Sequence, residues 1–134
     1  MCVDSDLLNY LPLALTVDVP EMDGQHAELF AQLEHLKERC IECNALATAE
    51  ADTLHATLRH HCATEQRMAE AAGIDFSLHG QKHQQMLAAI DRMFSDVRQG
   101  RLDIFSLIRY VDYWIERHIR EEDVHFARQL KVPA

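Results

Sequence analysis

Proline and glycine are scarce in this 134-residue chain, with three and four copies, and β-branched runs are few. Sheet proteins need frequent turn residues and β-branched strands, so the shortage favours helices. No apolar run approaches the roughly 20 residues that a bilayer-crossing helix requires. Cations are also short: 13 Lys and Arg stand against 22 Asp and Glu, a formal net charge of −9. Nucleic acid and anionic membrane surfaces both call for basic patches, and neither is an expected partner. Four cysteines, Cys2, Cys40, Cys43 and Cys62, are too scattered for a disulfide framework. The opening Met-Cys-Val-Asp-Ser-Asp lacks the basic and apolar regions of a secretory signal. Free thiols in a cytoplasmic protein are the expectation.

What is present is an ordinary globular composition, 48% hydrophobic and 26% charged, long enough for one domain with a real core. Residues 1–19 read as an N-terminal arm, punctuated by Pro12 and followed by Pro20. Leu11, Leu13, Leu15 and Val17 alternate in it, which suggests an extended segment laying its leucines on the rest. From there to residue 130 the period becomes helical. Met22, His26, Leu29, Phe30, Leu33, Leu36 and Cys40 form one stripe, ending near Asn44. A second helix spans about 49–72 and stops at Gly73, with Leu54, Leu58, His61, Glu65, Met68 and Ala72 on its inward face. A third spans about 76–98, carrying His79, His83, Met86, Leu87, Ile90, Phe94 and Val97 and ending before Gly100. A fourth spans about 103–129, with Ile104, Leu107, Ile108, Val111, Ile115 and His118 aligned. The fold class expected is all-α: an antiparallel up-down-up-down four-helix bundle.

Histidines and carboxylates in apolar stripes need partners, because an unpaired charge in a core is expensive. Residues equidistant from a tight turn meet across antiparallel helices. The midpoint of His26 and Glu65 falls in the first loop, that of His61 and His83 beside Gly73, and that of His79 and Asp123 beside Gly100. Seven side chains, His26, His61, Glu65, His79, His83, His118 and Asp123, are therefore placed at one level of the bundle. Imidazole and carboxylate donors without thiolate suit iron, manganese or zinc, and are too many for one tetrahedral zinc. Two metals bridged by two carboxylates use all seven donors. Five histidines shared between them leave one metal a ligand short, and a small molecule can bind at such an open position.

The ordered set Asp23-Gly24-Gln25-His26, His61-x-x-x-Glu65, His79-x-x-x-His83 and His118-Ile119-x-x-x-Asp123 resembles the bacterial hemerythrins, over residues 15 to 127 or so. The resemblance implies two iron ions, one on His79, His83 and His118 and one on His26 and His61, with Glu65, Asp123 and an oxo or hydroxo group bridging. Dioxygen would bind reversibly at the two-histidine iron. Ile119, Trp114, Leu29, Phe30 and Leu58 are the candidates for an apolar pocket around it. The step from His118 to Asp123 is i, i+5, whereas Glu122 stands at the better-placed i+4. A widened, π-type turn would bring Asp123 to the site.

The function this implies is oxygen binding without catalysis, either as a carrier or as an oxygen- or redox-sensing domain. Lys131-Val132-Pro133-Ala134 is compatible with a chain end and equally with a linker to a signalling output domain. The competing class is a di-iron enzyme, a peroxidase or a nitric-oxide-handling protein, which calls for a proton donor at the open iron. Iron storage is a third, but ferritin-type sites use Glu-x-x-His pairs. His35, His55, His60 and His125 remain outside the set, and His60 and His125, which lie next to it, fit surface or supporting positions better than ligand positions. Cys40-Ile-Glu-Cys43 lacks the βα setting of a redox motif. Met68, Met86 and Met93 read as core filling, and Glu116, Glu121 and Glu122 as a solvated face.

Overall fold

Pro20 opens the first long helix because its fixed φ suits a first helical position, where its missing N–H costs nothing. In the computed structural model, which describes residues 8–131, helix α1 spans Pro20–Cys43 and α2 Thr48–Ala72. Helix α3 spans Ser77–Arg98 and α4 Ile104–His118. A widened turn over Ile119–Asp123 carries α4 on into α5, Val124–Lys131. The described chain is thus all-helical, four helices with no strand among the described residues. Cys2, the first part of the arm and residues 132–134 lie outside the described residues.

The helix ends follow from local chemistry. Asn44 and Gly73 close α1 and α2 in the left-handed region, at φ 49° and 69°. Past α3, Gly100 has φ 74°. The N–H of Ile74 reaches back to the Ala69 carbonyl at 2.9 Å, and that of Arg101 to Asp96 at 2.7 Å. These are Schellman-type closures, for which glycine carries no Cβ penalty. Asp103 caps α4: its carboxylate accepts from the Ser106 N–H at 2.8 Å and from the Ser106 hydroxyl at 2.7 Å.

The arm departs from the extended reading. Leu13–Leu15 forms a turn of 3-10 helix, and Leu13 is 89% exposed, while Leu15 and Val17 are buried. Backbone turn bonds, such as Leu15 N–H to the Pro12 carbonyl at 2.9 Å, override the alternation. Asp23 then fastens the arm to α1, accepting from the N–H groups of Val17 at 2.8 Å and Asp18 at 3.1 Å.

Each long helix packs on its successor, and α1 also packs against α4. Two apolar clusters result. The larger contains Leu29, Leu36, Leu54, Leu58, Cys62, Met86, Ile90, Phe94, Leu107, Ile115 and Ile119. The smaller contains Val17, Met22, Ala69, Phe126 and Ala127, with Phe76 against it. On α1, on α2 and along α4 continued into α5 the expected ligands fall between members of the two clusters: His26 between Met22 and Leu29, Glu65 between Cys62 and Ala69, Asp123 between Ile119 and Phe126. A polar layer thus separates two dry ones. On α2 the last inward residue is Ala69, and Ala72 is exposed. No helix of the described residues is long and apolar enough to cross a membrane.

Candidate metal centre

Helix α1 brings in His26, α2 brings His61 and Glu65 one turn apart, and α3 brings His79 and His83 one turn apart. His118 ends α4. The widened turn after it rotates Asp123 inward in place of Glu122. The seven side chains meet. His26, His61, Glu65, His83, His118 and Asp123 are buried, and the His79 side chain is 11% exposed. Donor atoms of His61, Glu65, His83, His118 and Asp123 all lie within 4.8 Å of one another, a grouping able to hold a metal ion. His26 and His79 join through Asp123.

The carboxylates sort the histidines. Asp123 Oδ2 lies 2.8 Å from His26 Nε2 and 3.2 Å from His61 Nε2, while Oδ1 lies 2.9 Å from His118 Nε2 and 3.1 Å from His79 Nε2. Glu65 repeats the division, with Oε2 3.1 Å from His61 Nε2 and Oε1 at 3.1 and 3.0 Å from His79 and His83 Nε2. His83 and His118 present their Nε2 atoms to each other at 3.0 Å. One oxygen of each carboxylate therefore faces the His26–His61 side and the other faces His79, His83 and His118.

The residues fit a metal on a second ground. Both Glu65 oxygens are buried and lack a hydrogen-bond partner, although three imidazole nitrogens stand within 3.1 Å. Those donors are close without being aimed at the carboxylate. A buried carboxylate ringed by imidazole nitrogens but without a hydrogen bond of its own is a group that a cation would satisfy.

Charge in the layer is strongly coupled. Burial disfavours the His61 imidazolium, but Glu65 and Asp123 outweigh it and raise the pKa to about 10. His118 rises to about 9 in the same way, with Asp123 the main partner. His79 is also raised, against burial, by Asp123 and Glu65. Burial lowers His83, which has His118 and His79 as like-charged neighbours. Burial and Asp123 push Glu65 upward, yet His61 and His79 bring it down to about 2. Asp123 is held well below the usual carboxylate range, against burial, by His118, His26 and His61.

Of the residues expected to line a pocket, Leu29, Leu58 and Ile119 are buried in the larger apolar cluster. Phe30 and Trp114 are partly buried against it, and Phe30 also lines an open surface groove with Tyr10 and Phe105. His60 and His125 are exposed, and the His35 side chain is 62% exposed. His55 Nε2 lies 3.4 Å from the Leu87 carbonyl oxygen. Cys40, Cys43 and Cys62 are free thiols. Burial, then Glu65 and Asp123, raise the Cys62 thiol pKa far above its ordinary value. Met86 is buried in the core, with Met93 and Met68 partly buried against the clusters. Glu116 and Glu121 pair with Arg120 and Arg117 one turn away.

Three features were not legible as site residues. Phe76 stacks on His79, ring centroids 4.4 Å apart, and Phe126 meets the same imidazole edge-on at 5.4 Å. An open cavity beside His79 is walled by Asp75, Phe76, Lys82, Glu122 and His125. Gln25 Oε1 accepts from the outer nitrogen of His61. Comparison with protein-family models, curated proteins and solved structures finds no match to this chain. Its functional reading therefore rests on the residues and their geometry.

Proposed function

We propose that this chain is a hemerythrin-like, non-haem di-iron protein that binds dioxygen reversibly. The observation that carries the reading is the double division of five histidines by two carboxylates, two on one side and three on the other. The inward-facing oxygen of Asp123 and the nitrogens of His26 and His61 stand 2.8 to 3.2 Å apart, close enough to share one bound ion.

In this reading His79, His83 and His118 would hold one iron and His26 and His61 the other, with Glu65 and Asp123 available to both; bound iron would supply the electrons for reversible uptake of dioxygen. The chain supplies the rest. Leu29, Leu58 and Ile119 give the layer an apolar wall on the side of the larger cluster, which favours reversible binding over release of a reduced product. The polar groups beside His61, Gln25 and Thr64, engage its outer nitrogen and one another. An enzyme of the peroxidase or nitric-oxide-handling class would need its polar group at the open position instead. An up-down-up-down helix order, a cytoplasmic location and a role as carrier or as sensor for an attached signalling module go with the proposal.

The test is to load iron, reduce without oxygen, and admit air while recording visible absorption. A colourless reduced form that gains a band with oxygen and loses it when oxygen is removed supports the proposal. Direct conversion to a diferric form with no reversible band moves the function to redox sensing or enzymatic turnover. Failure to take up iron at all overturns it.

A further inference from the structure

Among the described residues, His61 is distinguished from its neighbour His26 by what lies behind it. His26 Nδ1 is buried without a partner. His61 Nδ1 lies 2.9 Å from Gln25 Oε1. Gln25 is half-buried and precedes His26 on α1, so one helix turn presents a candidate ligand and the support of a second. The amide is itself held. Its Nε2 donates to Thr64 Oγ1 at 3.1 Å, and Arg67 Nη2 donates to the same oxygen at 3.1 Å. Thr64 is buried and adjoins Glu65. With the amide nitrogen turned to Thr64, Oε1 must face the imidazole, so Nδ1 keeps its hydrogen and Nε2 is the nitrogen that gives up its proton when an ion binds.

We infer that Gln25 is a positioning residue for the two-histidine side of the centre, fixing the orientation and the metal-facing nitrogen of His61 through its amide oxygen. The inference rests on the two-metal reading of the site and adds a specific asymmetry to it. A hydrogen bond to the outer nitrogen of a ligating imidazole restricts ring rotation and makes the inner nitrogen a better donor. A carboxylate at the same place makes it stronger still. Thr64 and Arg67 act one step further out, by keeping the amide from turning over.

The experiment uses metal-free protein titrated with Zn2+ alone in competition with a chelator, together with proton NMR of the imidazole N–H region. Wild type should bind two ions and show a slowly exchanging His61 Nδ1–H. Gln25→Ala should weaken one ion about 10- to 100-fold, leave the other unchanged, and lose that proton signal. Gln25→Glu should restore the affinity and the signal, which a merely structural role would not produce. Thr64→Val, which leaves the Gln25–His61 bond available, should weaken the same ion less than Gln25→Ala does. Unchanged binding of both ions in Gln25→Ala overturns the inference, and so does a wild-type spectrum without the protected proton. A wild type that shows the proton but binds no second ion overturns the two-metal reading and leaves the Gln25–His61 bond established.

Discussion

His118 and Asp123 are five residues apart, yet His118 Nε2 lies 2.9 Å from Asp123 Oδ1. A regular helix would turn Glu122 toward the histidine and Asp123 away. The chain instead widens over Ile119–Asp123, and Glu122 is left outside the layer, its Oε1 3.9 Å from the outer nitrogen of His118. One extra residue in a turn thus selects which of two adjacent acids touches four imidazoles.

Asp123 and Glu122 should accordingly respond differently to loss of charge. Asp123→Ala removes the carboxylate shared by both groups of histidines, and bound metal should fall from two ions to one or none. Glu122→Gln should keep both ions, with affinity changed by about tenfold or less, as for a supporting contact at the low end of the usual range. Metal analysis after gel filtration decides it. Two ions retained in Asp123→Ala would mean that Glu122 can swing inward, and that the widened turn does not select the ligand.

Much of this arrangement was visible in residue order because the ligands obey the helical period that also marks the core. Leu58, His61 and Glu65 advance by three and four residues, and the loops around Gly73 and Gly100 set the register of the neighbouring helices. The widened turn was visible only as a conflict, one residue too many between His118 and Asp123. Gln25 entered only as part of the motif around His26, and its contact with His61 was not visible, since it lies about 100° around α1 from His26 and off the apolar stripe. Its partners His61 and Thr64 are 36 and 39 residues away. Leu13 misled for another reason: alternation lays every second leucine on the bundle only if the chain stays extended, and local turn bonds won.

Asp23 reads as an ordinary acid near a helix N-terminus, but its carboxylate faces backward to the arm. Asp23→Ala would leave the buried N–H of Val17 without its acceptor and that of Asp18 unpaired. The cost should be about 1–3 kcal/mol in urea unfolding. Hydrogen exchange at Val17 and Asp18 should accelerate far more than exchange in α2 or α3. A loss of stability with unchanged protection at these two amides would show that the arm is held by Val17 burial alone.

Metal loading should stabilise the whole helix set, since the ligands come from all of its long helices and only the folded state gathers them. At free metal a thousandfold above the dissociation constant, one ion adds about 4 kcal/mol. For a domain of this size that corresponds to a rise in the unfolding midpoint on the order of 15 °C. Chelation should reverse the rise. A midpoint that moves less than about 3 °C on adding ferrous iron or zinc would mean that the seven donors are satisfied by one another.

Protons compete with metal for the same atoms, and this gives metal-free protein a distinctive pH profile. His61 and His118 are raised from 6.5 to about 10 and about 9, so their contribution is complete below pH 6.5 and is lost as pH rises through 9 to 10. Glu65 is lowered from 4.5 to about 2, so its contribution is complete above pH 4.5 and is lost as pH falls toward 2. His83, lowered by burial, acts weakly in the opposite sense to the other histidines. Stability in the presence of chelator should therefore be greatest between pH 4.5 and 6.5 and decline toward pH 10. Metal affinity should run the other way, rising with pH, because the ion must displace the protons on His61 and His118. Urea midpoints with and without metal across this range test both slopes at once. Equal profiles for the two forms would mean that metal and protons occupy different atoms, and the His61–His118 layer would not be the metal centre.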